Sequence, residues 1–165
     1  MVEQKDEDKN DQEGEPIDLG ILLGLGYQVF CDLLRAELKA RGFDDLGGAY
    51  GYVFRVLADD PLSQRELARR LGITDQGMAK IVNEMVERRY VERHADPDDS
   101  RINRLRLGAR GRAALRAARR FHATFERELC RDLGESAVRR LRETLERIAT
   151  RGGDADVARS RLRPM

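Results

Sequence analysis

Ser63-Gln64-Arg65-Glu66-Leu67-Ala68-Arg69-Arg70-Leu71-Gly72-Ile73-Thr74 is the stretch that decides how this chain folds. Ser63 and Glu66 stand at capping-box spacing: the Ser63 hydroxyl accepts from the Glu66 amide while the Glu66 carboxylate accepts from the Ser63 amide, so a helix starts here. Leu67, Ala68 and Leu71 give it one apolar face. Gly72 ends it, Ile73 is an apolar turn residue and Thr74 caps the next helix. The reading is helix, tight turn, helix.

The second of these helices runs from Thr74 to about Arg88, with Met78, Ile81, Val82, Met85 and Val86 as its buried stripe. Asp75, Gln76, Lys80 and Asn83 fall on the opposite, polar face. Beyond it, Tyr90-Val91-Glu92-Arg93 and Arg104-Leu105-Arg106-Leu107 alternate apolar with polar residues as half-buried strands do. The turn-rich Asp96-Pro97-Asp98-Asp99-Ser100 between them makes the pair a β-hairpin, with Arg101, Asn103 and Arg104 on or near it.

Working outward, Tyr50, Val53, Phe54 and Leu57 predict a short helix ending at Asp59-Asp60-Pro61, and Leu22, Leu25, Val29, Leu33, Leu34 and Leu38 predict a longer one from Ile17 to about Arg41, stopped by Gly42. Gly20, Gly24 and Gly26 weaken the latter by roughly 1 kcal/mol each relative to alanine. They read either as a place of close helix approach or as a loosely wound start. Two helices follow the hairpin, from Arg110 to about Leu133 and from Glu135 to about Ala149. The stripe of the second, Val138, Leu141, Leu145 and Ile148, is heptad-like and calls for a partner helix. The fold class is therefore mainly α with a small β-wing.

The organisation expected is an acidic, disordered arm over residues 1–16, an N-terminal helix over 17–42, the winged module over 43–108, C-terminal helices over 109–151 and a flexible tail over 152–165. The arm carries seven acids and two lysines, hence a charge of −5, which leaves the rest of the chain at +6. A basic body is compatible with nucleic acid but does not by itself argue for it. The arm is expected to lower non-specific affinity for polyanions by competing for that basic surface. The longest nearly apolar stretch, Leu19 to Cys31, falls short of the roughly 20 residues that span a bilayer, and no leader sequence is apparent. Two cysteines make no disulfide framework, so a reducing cytoplasm is expected. Nucleophile elbow, phosphate loop, metal-ligand cluster and close acid pair are all missing from the sequence, so neither an enzyme nor a cofactor is expected.

The order of elements, together with the Glu66-Leu67-Ala68 core, the wing's Asp99-Ser100-Arg101 and Leu107-Gly108-Ala109-Arg110-Gly111, resembles the MarR family of bacterial regulators. The resemblance covers residues 17–150 in architecture and is most specific from Ser63 to Gly111. It implies a homodimer on double-stranded DNA, usually a repressor, held by N- and C-terminal helices and often released by a small phenolic effector or by oxidation. By position, Thr74, Gln76 and Lys80 match the residues that face the major groove, with Asp75 capping the helix or accepting from cytosine. Ser63 and Gln64 match the site where the preceding helix abuts phosphate, and Arg93 the backbone-proximal arginine of the first wing strand. Asp99 and Arg101 match the pair whose guanidinium enters the minor groove, where a narrow groove strengthens the negative potential. Asn103 and Arg104 complete the DNA-facing set.

Tyr27, Tyr50, Tyr52, Phe54 and His122 are the expected effector-pocket residues. Cys31 and Cys130 leave open a thiol-based, redox-responsive regulator, and a winged scaffold for protein interaction is the alternative from another class. Two departures from the family pattern stand out. Arg89 replaces the glycine that ends the recognition helix, so its turn is expected to differ, since a left-handed non-glycine costs about 1 kcal/mol. Gly108 replaces the threonine cap after the wing.

Overall fold

The computed structural model of this chain describes residues 16–96 and 103–151. Their order is α1 (Leu19–Ala40), α2 (Tyr50–Val56), β1 (Leu62–Ser63), α3 (Gln64–Leu71), α4 (Asp75–Glu87), β2 (Val91–Ala95), β3 (Asn103–Leu107), α5 (Ala109–Leu133) and α6 (Glu135–Ala149). The chain divides into two compact units, one up to Leu33 and one from Leu34 onward. The division falls inside α1 rather than at Gly42, where the sequence placed a boundary.

In the first unit, α1 shows Leu22, Leu25, Tyr27, Val29 and Leu33 to solvent. The argument from shortness does not hold for this helix. It runs 22 residues and is, by length and composition, apolar enough to cross a membrane, although Asp32 and Arg35 lie along it.

The second unit is built on the predicted winged module. Ser63 caps α3 with both halves of the capping box in place, and Gly72 closes that helix in the left-handed region. Thr74 caps α4 by accepting from the Gly77 amide at 3.1 Å. One strand escaped the sequence reading: two-residue β1 pairs antiparallel with β3, Leu62 opposite Leu105 and Ser63 opposite Arg104. It gives no alternation to detect, being too short for a period of two to show. The sheet order is β1-β3-β2, with Arg93 opposite Leu105 and His94 opposite Arg104.

Leu67, Leu71, Met78, Val82, Met85, Tyr90, Leu105 and the α2 residues Tyr50, Val53 and Phe54 form one core. The core is closed tightly at the start of α5: a β-carbon on Gly111 would stand 2.1 Å from the Tyr90 carbonyl oxygen. At the other end of α4 the expected departure does not occur. Arg89 sits in the left-handed region at φ 61°, and the Tyr90 amide donates to the Met85 carbonyl at 2.8 Å while the Arg89 amide donates to Val86. The helix therefore ends in the hydrogen-bond pattern a glycine would give. Burial of Tyr90 beside it holds the turn against the backbone preference of arginine.

Candidate nucleic-acid interface

Helix α4 presents two unlike faces. Met78, Val82 and Met85 are fully buried, while Thr74, Asp75, Gln76, Lys80 and Asn83 are exposed. The spacing that buries one set at 3.6 residues per turn displays the other. Thr74 fixes the first turn, so Thr74, Asp75 and Gln76 stand at the helix end whose amides and dipole attract anions, with Lys80 and Asn83 further along α4. Ser63 and Gln64, at the start of α3, are half-buried. Ser63 spends its hydroxyl and amide within the capping box, which leaves the Gln64 side chain as the freer of the two to meet phosphate.

The hairpin β2–β3 adds cations beside α4. Arg93 donates to the Asn83 amide oxygen at 2.5 Å, tying the first wing strand to the exposed face of α4. Asn103 is exposed at the start of β3. Asp99 and Arg101 lie outside the described residues. Arg104 is placed differently from its neighbours: its guanidinium donates to the carboxylate of Asp96 and, at 3.1 Å, to that of Glu66. Ser63's hydroxyl and amide, opposed by burial and helped by Arg104, hold the Glu66 carboxyl below its ordinary range.

A second polar cluster, which the sequence reading missed, braces the far end of α4. Arg110 at the start of α5 forks onto both oxygens of Asp45 at 3.0 and 2.9 Å and lies over the Tyr90 ring, 4.5 Å from its centroid. Tyr90 donates to Asp45 at 2.5 Å, and Arg88 donates to the Asp45 carbonyl and to the Tyr50 hydroxyl. Burial opposes ionisation of Asp45, but the Tyr90 hydroxyl and Arg110 outweigh it and hold its carboxyl below the usual value. Asp45 lies in a segment without periodicity, so nothing in the pattern signalled it.

The expected effector residues do not share one environment. Tyr50 and Phe54 are core residues, 2% and 3% exposed, packed against Tyr90 at ring distances of 5.7 and 5.6 Å. Both were expected to line a pocket, but their surface is already used in the core. Tyr52 and His122 are half-buried, and burial, then Arg55, pushes the His122 imidazole below its ordinary value. Tyr27 belongs to the other unit and is exposed. Cys31 and Cys130 are free thiols of intermediate exposure.

Comparison with known proteins falls on the same residues. A model of the MarR family matches residues 44–102. The exopolysaccharide II synthesis transcriptional activator ExpG of Rhizobium meliloti is 28% identical over 153 residues, spanning 91% of this chain and 78% of that protein. Among solved structures, the reduced form of MarR from E. coli aligns with a TM-score of 0.64 at 23% identity, covering 81% of this chain and 98% of that one. Streptococcus pneumoniae FabT in complex with DNA aligns at 0.64 and 20%, covering 79% and 94%. The S. aureus MepR–DNA complex aligns at 0.64 and 17%, covering 81% and 96%. These structures speak for the fold; the family match and ExpG speak for the role. The helix-turn-helix and the hairpin beside it thus match the MarR family over residues 44–102, and the chain as a whole is similar to DNA-binding transcriptional regulators of that family, which are non-enzymatic proteins, and shares their fold.

Proposed function

We propose that the chain works as a homodimer that reads a pseudo-palindromic operator, each α4 entering a major groove and each wing reaching the flanking minor groove. The observation that carries this is the division of α4: Thr74, Gln76 and Lys80 open on the face opposite buried Met78, Val82 and Met85. Half-sites about one helical turn apart follow from a two-fold axis. Phosphate contacts position such a protein and base edges choose its site. The exposed leucines of α1 and the stripe of α6 support the dimer, because a second copy offers each an apolar surface. Chromosomal DNA as target places the protein in the cytoplasm.

Repression is the sign we infer. A dimer seated on promoter DNA excludes polymerase without any added contact, whereas activation, the role of ExpG, needs a surface that recruits it. A small phenolic or aromatic effector that releases DNA is part of the same reading, with Tyr52 and His122 the expected pocket residues of the second unit that retain surface for it.

The test is binding of the purified protein to its own upstream region and to random duplex across a salt series, beside Gln76→Ala and Arg101→Ala. The expected result is a preference for the upstream region of about 10³ or more, a steep fall with salt and lost affinity in both variants. If neither DNA is bound at low salt, the protein-interaction reading replaces this one.

A further inference from the structure

We infer that Arg104 is a positioning residue that clamps the base of the wing to the start of α3, and not one of the arginines that touch DNA. The inference rests on the DNA-reading role of the winged module and assigns one of its residues a different task.

Register brings the three partners together. Arg104 faces Ser63 on β1 and His94 on β2. Glu66 is folded back onto Ser63 by the capping box, so its carboxylate arrives beside the residue opposite Ser63. Asp96 lies two residues beyond His94, on the diagonal that cross-strand neighbours share. The Arg104 guanidinium thus meets both carboxylates, donating through Nε to Asp96 and through a terminal nitrogen to Glu66.

Two features separate this from a surface ion pair. Asp96 is 7% exposed, and a carboxylate so deeply placed is tolerated only where its charge is matched and hydrogen-bonded. Among the described residues the Arg104 guanidinium also faces two carboxylates, so its positive charge is already matched within the protein. Asp96 directly follows the last residue of β2 and Arg104 is the second residue of β3, which places the clamp at that end of the paired strands. Its third point, Glu66, belongs to the first turn of α3. Arg104 therefore adds a side-chain link between the two strands of the hairpin and α3 to the register that the strand pairing sets, and its planar fork suits two acceptors at once.

The experiment compares wild-type full-length protein with Arg104→Gln, Arg104→Lys and Asp96→Asn. Binding to the upstream DNA is measured across a salt series, with folding checked by circular dichroism. A phosphate-contacting arginine, lost from both subunits, flattens the slope of log affinity against log salt by about 1.8, or about 0.9 per contact. The clamp predicts at least tenfold weaker binding in Arg104→Gln with the slope unchanged. It further predicts that Arg104→Lys behaves like Arg104→Gln, because an ammonium keeps the charge and loses the fork. Asp96→Asn is the decisive arm: it removes a negative charge near DNA and is nonetheless expected to weaken binding. Tighter or unchanged binding in Asp96→Asn, or a flattened slope in Arg104→Gln that Arg104→Lys restores, overturns the inference. Should Arg104→Gln fail to fold, Asp96→Asn and Arg104→Lys carry the same two outcomes. Failure of wild type to prefer its upstream DNA counts against the proposed function instead.

Discussion

The core of the winged module and helix α6 are written in the same pattern, yet only one of them is covered. Met78, Val82 and Met85 of α4 repeat at helical spacing and are fully buried, whereas in α6 only Val138 is buried while Leu141, Leu145 and Ile148 stay 44%, 41% and 39% exposed. The pattern tells which face is apolar and not where its cover comes from. The module closes its own core from α2 to the start of α5. A second copy would cover the α6 stripe, which is the physical ground for the proposed dimer.

The sharpest way to break the closed side is Gly111→Ala. The new methyl would stand 2.1 Å from the Tyr90 carbonyl oxygen, a backbone atom with no slack. A loss of about 3 kcal/mol or more is expected, read as a lower urea midpoint together with lost DNA binding. A stability near wild type would show that the α5 start is looser than the geometry requires. The open side is probed by Leu141→Arg with Leu145→Arg. Dimer dissociation is expected to strengthen about 100-fold, or about 2.7 kcal/mol, in sedimentation equilibrium, while the winged module stays folded. An unchanged dimer would place the seam elsewhere.

Between the two sides lies the Asp45 cluster, which joins the end of α4 to the start of α5 through Arg110. Asp45→Asn is expected to cost about 1–2 kcal/mol at pH 7, the lower end reflecting its partial exposure. The sign with pH follows from its carboxyl being held low in the fold. Its stabilisation is complete above the unfolded value of about 3.9 and lost as pH falls through the folded value. The gap between wild type and variant in urea midpoint should therefore stay constant from pH 7 to about 5 and narrow progressively below about 4. A gap that did not narrow at all as pH falls below about 4 would mean the carboxylate charge is not what matters.

What the sequence disclosed tracks how local the cause is. Ser63 with Glu66, Gly72 and Thr74 act within four residues, and each appears where its spacing places it. The buried stripe of α4 was legible because periodicity repeats a weak signal. Strand β1 and the Asp45–Tyr90–Arg110 cluster were not, because their partners are some 40 residues or more away and leave no period. Arg104 shows the same limit within the site. Its neighbours on the hairpin marked it as one cation among several, and only strand register revealed the two carboxylates around it. Tyr50 and Phe54 were expected at an effector pocket, while three-dimensional packing assigns them to the core around Tyr90.

The smallest effect sharpens the contrast from inside the closed module. Arg89 is the one non-glycine in the left-handed region among the described residues, and Arg89→Gly should relieve at most about 1 kcal/mol of backbone cost. Its partner in space is Gly108, where an added β-carbon would meet the Arg89 carbonyl oxygen at 2.7 Å. The two departures from the family's glycine and threonine therefore touch. With arginine fixing its own strained backbone at 89, the neighbouring position has to be small. Gly108→Thr alone is expected to destabilise, because the new side chain pushes on a carbonyl whose residue is already strained. In the double variant the glycine at 89 adjusts at little cost, so much of that loss should be recovered and the two changes should combine better than additively. A urea-denaturation cycle over the four proteins measures the coupling. Strict additivity would mean that the contact yields by moving α5 instead of the turn, and the tightness attributed to the closed module would then lie on the α5 side of the junction.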